Sequence, residues 1–247
     1  MYSKDINRVV SQNVDFKRIM SEGGVLWEAN TVPGPSKLIG GNLQAGFYGE
    51  VPTSEFISGD ELARMIGLTR GISQFSNEPW LKFSYMGKIE FIAKKPFRHS
   101  FPYNDIKAAN AAFGNRTIKL GDHTYKVRLP KGKSEGKQDD SSSVSGSILH
   151  NSEWNRLMLP IHKNAPSSWK YPDNVKSPTE NWDLGYTDND LITHRSAGNG
   201  SHSYCQEYGS SGFRLLRGGF GVSSSNMTTV GAFENSTGWR PILELVD

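Results

Sequence analysis

The fold is decided by two short apolar segments near the end of the printed sequence. Gly212–Phe220 reads GFRLLRGGF and Gly238–Val246 reads GWRPILELV, joined by a link rich in Ser, Thr and Asn. Short apolar runs bounded by glycine are typical of buried strands. We expect Arg217 and Arg240 to hydrogen-bond loop carbonyls or carboxylates and Trp239 to seal the core, so these three residues are predicted to be structural.

The segments upstream of these strands alternate between helical and strand patterns. Ser58 and Glu61 form a capping box, in which the two side chains satisfy backbone donors at the start of a helix. Leucine, methionine and isoleucine then follow at helical spacing. Trp80–Tyr85 alternates with period two, and a Met-Gly-Lys turn leads to a return strand at Ile89–Ala93. The sequence therefore predicts a helix followed by a hairpin.

A second helix and a second hairpin are expected further along the chain. The helix is predicted from about Tyr103 to Phe113, with Gly114 as its C-terminal cap. The hairpin is predicted from residues 118–120 and 125–129. Ser152–Pro160 has the pattern of a short helix with its tryptophan facing inward. The fold class is therefore α+β, with a loop-rich second half.

The chain divides into an arm and a main domain. Residues 1–33 contain scattered apolar residues that cannot form a core of their own, and Pro33-Gly34-Pro35 marks the boundary. Residues 34–247 form the main domain. Within it, residues 131–147 are nearly devoid of apolar side chains and are predicted to be a flexible surface loop. We expect the arm to dock on a partner, on another copy or across its own domain.

Composition excludes several classes of protein. The 247 residues carry a formal net charge of +3, and no basic run is long enough for a nucleic-acid surface. The densest basic cluster, Lys94, Lys95 and Arg98, is interpreted as a solvated strand end. No apolar run approaches the ~20 residues that span a bilayer, and no signal peptide is visible. Cys205 is the single cysteine, which indicates synthesis in a reducing compartment.

Aromatic residues scattered among Ser, Gly and Asn predict a binding surface between residues 165 and 210. Aromatic anchors with adaptable polar neighbours are typical of recognition loops. Each ring has the alternative of bracing the loops internally, because large apolar side chains are mostly core. The candidate ligand-binding residues are Trp169, Tyr171, Trp182, Tyr186, Tyr204 and Tyr208.

Metal binding and catalysis have weaker signals. Asp188-Asn189-Asp190 offers oxygen ligands of the kind calcium takes, but the triplet is also an ordinary turn sequence. The histidines lack cysteine partners at zinc spacing. Asp183, Asp188, Asp190 and Glu207 are candidate carboxylates for a glycosidase, with surface carboxylates as the default interpretation. We expect no cofactor and no catalytic residue.

The strand pattern resembles the C-type-lectin-like fold, in the variant found in formylglycine-generating enzymes and phage lectins. Leu216–Phe220 fits an Arg-Gly-Gly strand, Gly238–Leu243 fits the closing Gly-aromatic-Arg strand, and Glu153-Trp154-Asn155 fits the segment that opens the second half. The resemblance implies two helices flanking small twisted antiparallel sheets. The copper chemistry of those enzymes needs a pair of cysteines, which this chain does not have.

The chain more closely resembles a module of tailed-phage and prophage virion proteins. The matching segments are Pro33-Gly34-Pro35, Ala45–Pro52, Gly59–Ala63, Trp80–Tyr85, Ile92–Pro96, Ser152–Ile161 and Gly238–Val246. This resemblance implies a virion structural protein made in the host cytoplasm. We expect residues 1–33 to attach it to other virion proteins, the main domain to bind a host surface receptor, and the protein to form a homo-oligomer.

Three functions follow from these observations. The first is a tail or tail-fibre protein that binds a host surface glycan or protein. The second is a purely architectural capsid decoration, collar or baseplate protein. The third, ranked last, is a glycan-degrading enzyme.

Overall fold

The computed structural model describes most of the main domain. Its described residues are 32–132, 152–163, 181–193, 198–210 and 212–246, together with the backbone of four strands between residues 9 and 28. The predicted flexible loop lies outside this range from residue 133 onward.

The secondary structure is mostly strand. In chain order the strands are β1 (Val9–Ser11), β2 (Val14–Phe16), β3 (Arg18–Ser21), β4 (Gly24–Glu28), β5 (Gly40–Gly41), β6 (Ala45–Val51), β7 (Ile72–Ser73), β8 (Trp80–Tyr85), β9 (Lys88–Ala93), β10 (Arg98–His99), β11 (Phe113–Leu120), β12 (His123–Arg128), β13 (His202–Ser210), β14 (Phe213–Gly218), β15 (Ser225–Thr229), β16 (Thr237–Trp239) and β17 (Ile242–Leu245). The helices are α1 (Gly59–Ile66), α2 (Tyr103–Ala108), α3 (Glu153–Leu157) and α4 (Asp188–Leu191). The chain is therefore a sheet-rich α+β protein.

Two large sheets carry the main domain. The seven-stranded sheet has the order β11-β12-β17-β9-β8-β6-β5, and its neighbours are antiparallel. The six-stranded sheet has the order β15-β14-β13-β16-β10-β7, with a parallel pair between β13 and β16. Strands β1 and β2 pair as one hairpin and β3 and β4 as another, each forming a two-stranded sheet.

Helix α1 forms where its capping signals predict. The Ser58 hydroxyl accepts a hydrogen bond from the Glu61 amide, and Gly67 ends the helix in the left-handed conformation at φ 77°. Glycine adopts this conformation without the clash that a β-carbon would cause. Leu62, Ala63 and Ile66 are buried, so the predicted apolar stripe faces the core.

Helix α2 is shorter than the sequence predicts. It ends at Ala108, and Phe113 opens strand β11, so the prediction that the helix reaches Phe113 is wrong. Asn110 takes a positive φ of 58°, which asparagine tolerates better than most residues and which an α-helix cannot continue through. Gly114 is not a helix cap either: it lies at the bulge of β11 with φ 82°.

The central strands of the seven-stranded sheet are buried on both faces. Along β8, Trp80 faces one apolar cluster while Leu81, Phe83 and Tyr85 face the other, as the period-two pattern predicts. The first cluster also contains the apolar faces of α1 and α2 and residues of the six-stranded sheet. The second is covered by α3, whose Trp154 and Leu157 are fully buried. The main core is thus three layers thick.

A buried ionic cluster ties α3 to the seven-stranded sheet. The Arg128 guanidinium donates to Glu90 at 2.5 Å, to Glu153 at 2.6 and 2.9 Å, and to Glu244 at 3.0 Å. Lys88 pairs with the other oxygen of Glu244 at 2.7 Å. Because truncating one member would strand a buried charge, the cluster fixes α3 on β9, β12 and β17.

The two arginines of the closing segments are structural, as predicted. Arg217 is fully buried and donates to the carbonyl oxygens of Ser224 and Gly132 at 3.1 and 3.3 Å and to the Asn155 amide oxygen at 2.6 Å. Arg240 donates to the carbonyls of Lys94 and Leu191 and to the Ser203 hydroxyl. Trp239 is fully buried in the main core.

None of the described helices is long and apolar enough to cross a membrane.

Candidate functional site

Residues 181–193 place two of the predicted ligand-binding aromatics on the seven-stranded sheet. The Trp182 amide donates to the Pro160 carbonyl at 2.8 Å, and its indole lies on Gly40 and Gly41 of β5. A β-carbon added to either glycine would lie 2.9 or 2.5 Å from the Trp182 side chain, so these positions accept only glycine beneath the indole. The indole is half-buried and anchors the segment at the edge of the sheet.

Tyr186 joins this segment to strand β6. Its hydroxyl donates to the Glu50 carboxylate at 2.9 Å, and its ring contacts Phe47 edge-on. The ammonium of Lys94 donates to the same Glu50 oxygen at 2.7 Å and lies 5.6 Å from the centre of the Tyr186 ring. We call Glu50, Lys94 and Tyr186 the polar triad.

The electrostatics of the polar triad keep the phenol protonated. Burial raises the pKa of Tyr186 well above its ordinary value, and the neighbouring Glu50 carboxylate raises it further. Tyr186 is therefore a hydrogen-bond donor at physiological pH. The side chains of Glu50 and Lys94 are 34% and 15% exposed, so the charged side of the triad is accessible to a ligand.

Asp190 adds a second carboxylate beside the triad. It accepts from the Thr187 hydroxyl at 2.6 Å and from the Thr187 amide at 2.8 Å. The Thr187 hydroxyl lowers the pKa of Asp190 against the opposing effect of burial, and the amide and the charges of Lys94 and Lys95 lower it further. The Lys94 ammonium thus pairs with Glu50 and also acts on Asp190, and the charge of Lys95 acts on Asp190 as well.

The predicted calcium triplet instead begins a short helix. Asp190 caps α4, and the Asp188 carboxylate accepts from the Val222 amide at 2.8 Å and lies 3.7 Å from His162 Nε2. Within the described ranges, no group of three or more His, Cys, Asp and Glu could hold a metal ion. Asn189 is exposed on the outer side of the turn. The hydrogen bonds of Asp188 and Asp190 therefore account for the triplet as the start of a short helix.

Tyr204 belongs to the core, which corrects its assignment to the binding surface. It is fully buried on β13, its hydroxyl donates to the Phe101 carbonyl at 3.2 Å, and its ring contacts Tyr103 edge-on. Side chains alternate between the two faces of β13, and Tyr204 lies on the face that packs against the main core. Its polar neighbours in the sequence gave no sign of this orientation. Trp169, Tyr171 and the side chain of Tyr208 lie outside the described residues.

The candidate catalytic carboxylates have separate environments. Glu207 is buried on β13 and accepts from the Gly132 amide at 3.0 Å, while Asp183 is exposed. Asp188 accepts from the Val222 amide and Asp190 from the Thr187 amide, so both carboxylates are engaged with the backbone.

Glu50 and Lys94 are the residues that sequence reasoning missed. Lys94 lies in the basic cluster interpreted as a solvated strand end, yet its ammonium is mostly buried against Glu50 and Tyr186. The pairing joins positions far apart in the chain, so no local pattern could reveal it.

Neither a scan against protein-family models nor searches of curated proteins and of solved structures found a match to this chain.

Proposed function

We propose that this protein is a non-enzymatic component of a tailed-phage virion, carried on a tail or fibre, that binds a glycan or protein on the host surface. The observation that carries the binding proposal is the polar triad, a partly exposed group of carboxylate, ammonium and phenol next to the half-buried indole of Trp182. The assignment to a virion and the assignment to the C-type-lectin-like fold both rest on the sequence resemblance. Helices α1 and α2 and the mostly antiparallel sheets are compatible with the fold part of this proposal.

The chemistry of the triad favours a glycan. Sugar hydroxyls both donate and accept hydrogen bonds, and Glu50 and Lys94 offer one acceptor and one donor on the same partly exposed surface. The two carboxylates of Glu50 and Asp190 offset the two ammonium groups of Lys94 and Lys95, and residues 181–193 add the carboxylates of Asp183 and Asp188, so the site does not favour an anionic polymer. We therefore infer a neutral, hydroxyl-rich ligand.

Glycan-array and host-cell binding by the full chain tests the proposal. Replacing Lys94→Met removes the ammonium donor of the triad and leaves the Glu50 carboxylate with only the Tyr186 hydroxyl as a side-chain partner within the triad. Hydrogen bonds to charged groups contribute about 1.5–3 kcal/mol, so affinity should fall about ten- to hundredfold. Lys88→Met is the matched control, because Lys88 also pairs with a glutamate at 2.7 Å but is the first residue of β9, at the opposite end of that strand from Lys94.

Two results would contradict this function. One is the absence of binding to any glycan or host surface by the unmodified chain. The other is an equal loss of binding in Lys94→Met and Lys88→Met, which would place the ligand elsewhere.

An architectural role in the particle is the second candidate, and the exposed apolar surface favours it. Phe233, Ile72 and Phe220 are 60%, 57% and 52% exposed. Burial against neighbouring subunits in a particle would remove this apolar area from water. Electron microscopy of the intact virion distinguishes the two roles: burial of residues 181–193 against a neighbour favours architecture, and their display at the surface favours receptor binding.

A further inference from the structure

The four outer edges of the two large sheets differ in how they are protected. Natural proteins block exposed sheet edges with charges, bulges, short strands or covering side chains. Strand β11 carries Arg116, Lys119 and a bulge, and β5 is two residues long and covered by Trp182. Strand β7 is also two residues long, and the Ser73 hydroxyl donates to Asp60.

Strand β15 lacks the charge, the bulge and the short length that protect the other three edges. Its five residues, Ser225–Thr229, contain no charge, proline or glycine, and among the strands that the structure describes it has a neighbour only on its β14 side. The whole stretch from Gly218 to Phe233 is uncharged. Such an edge is a template for pairing with another strand.

The free backbone groups of β15 can be assigned from its pairing with β14. The Gly218 amide donates to Ser224, and the Val230 amide donates to Gly212. Because antiparallel ladders alternate, the even-numbered residues from 224 to 230 bond to β14. The odd-numbered residues, Ser225, Met227 and Thr229, therefore direct their amides and carbonyls away from β14, toward the open edge, where the Thr229 carbonyl already accepts from the Ala232 amide at 3.2 Å.

An apolar patch lies beside this edge. Met227 pairs with Leu215 and Thr229 pairs with Phe213, so these four residues share one face of the sheet. Met227 is 38% exposed and Phe213 is 39% exposed. A strand added to β15 would lie directly beside Met227, and Phe213 lies one strand further in.

We propose that a second copy of this chain pairs with β15, so that two β15 strands run antiparallel about a two-fold axis at Met227. In this register Met227 faces Met227 of the second copy, and Ser225 faces Thr229, so hydroxyls meet hydroxyls and apolar groups meet apolar groups. An identical partner brings identical charges, and the residues of β15 carry none. The Glu234 carboxylate that contacts the strand accepts from the Thr228 hydroxyl at 2.6 Å, on the face opposite Met227. The interface is isologous, the commonest kind in homo-oligomers.

Asn226 limits the strength of this association. Its side-chain oxygen accepts from the Met227 amide at 2.8 Å, which occupies the central outward donor. The Asn226 side chain is exposed and must turn away when the second strand binds. The pairing is therefore reversible and depends on concentration.

Sedimentation velocity of the full chain over a range of concentrations tests the proposal. The unmodified chain should shift from 27.4 kDa toward twice that mass. Met227→Lys places two ammonium groups side by side at the axis and should weaken association at least about tenfold. Met86→Lys is the matched control, because Met86 is 43% exposed in the β8–β9 turn, away from β15, and should leave association unchanged.

A second variant moves the equilibrium the other way. Asn226→Ala frees the Met227 amide and should strengthen association several-fold. A chain that stays monomeric up to about 1 mM overturns the proposal. So does a dimer that Met227→Lys leaves intact, which would mean that copies meet elsewhere or that another part of the chain covers β15. Unchanged or weaker association of Asn226→Ala also overturns it.

Discussion

The carboxyl of Glu90 lies in a buried cluster that has more acids than bases. Glu90, Glu153 and Glu244 share the cluster with Arg128 and Lys88, so one negative charge remains unbalanced. Burial raises the pKa of Glu90 to about 8; Arg128 opposes this shift, and the other two carboxylates add to it. Glu90 therefore keeps its proton at neutral pH, and the cluster is electrically balanced.

This protonation predicts a pH-dependent stability. The ordinary pKa of the glutamate is 4.5, so the folded state binds the proton more tightly than the unfolded chain. The contribution is complete below about pH 4.5 and is lost as pH rises through about 8. Glu90→Gln stays neutral at every pH. The unfolding free energy of the unmodified chain minus that of Glu90→Gln should fall between these pH values, by at most about 1.4 kcal/mol per pH unit.

Urea unfolding at intervals from pH 5 to pH 9 measures this difference. Glu61→Gln is the control, because the Glu61 side chain is 54% exposed on α1 and should show no such trend. A difference that is flat or that rises with pH would contradict the assignment of the proton to Glu90.

Single residues were predictable where the chemistry of one side chain dictates its partners. A buried guanidinium must find several acceptors, and this requirement predicted the carbonyl partners of Arg217 and Arg240. The polar triad was not predictable, because Glu50, Lys94 and Tyr186 come together only through the sheet. The inward orientation of Tyr204 was missed for a related reason: the strand around it reads as a polar loop.

The turn from Gly218 to Ser224 connects several elements. The Val222 carbonyl accepts from the Trp154 indole at 2.7 Å, and its amide donates to Asp188. Gly219 has φ 96°, and a β-carbon there would lie 2.4 Å from His202 Nε2. The turn therefore packs on α3, α4 and β13. Its close approach to His202 of β13 requires glycine at position 219.

Replacing this glycine should cost more than conformation alone explains. In Gly219→Ala the positive φ costs about 1–2 kcal/mol, and displacement of the His202 ring adds about 1–3 kcal/mol. Gly87→Ala is a matched control, because Gly87 has φ 76° and nothing within 4 Å of the added carbon. Chemical denaturation should show a larger loss of unfolding free energy for Gly219→Ala. Equal losses in the two variants would show that His202 moves aside freely.

Elements were predictable where local signals mark both ends. Helix α1 has a capping serine and a closing glycine, and the β8–β9 hairpin has a clear alternation and turn. Helix α2 has no side-chain hydrogen bond at its N-cap, and the helical spacing of alanines continued past its end at Asn110. The pairing of β13 with β16 in parallel is a long-range choice that no single segment encodes.

At the scale of the molecule, Arg240 is a junction between the two sheets. Its guanidinium reaches Ser203 in the six-stranded sheet, the Ala93 and Lys94 carbonyls at the end of β9, and Leu191 in α4. Burial lowers the pKa of Arg240, yet the group remains charged at neutral pH. The Arg240 side chain thus links the two large sheets to each other and to α4 in the candidate binding segment.

Arg240→Met should destabilise the whole domain. The carbonyls and the hydroxyl would lose their buried donor, which costs about 3–5 kcal/mol in total. Arg64→Met is the control, since the Arg64 side chain is 75% exposed and its loss should change stability by about 0.5 kcal/mol or less. Urea unfolding followed by tryptophan fluorescence and circular dichroism measures both. A loss below about 1 kcal/mol for Arg240→Met would contradict the junction role.

The central position of β17 sets the timing of folding during synthesis. Residues 242–245 lie between β12 and β9, whose own residues are made much earlier. At ~5–20 residues per second, the ribosome needs roughly 7–30 s to pass from residue 93 to residue 242. Throughout this interval the larger sheet lacks the strand that joins β12 to β9. The nascent chain must therefore wait with two open strand edges, which is when it is most prone to aggregate and most in need of a chaperone.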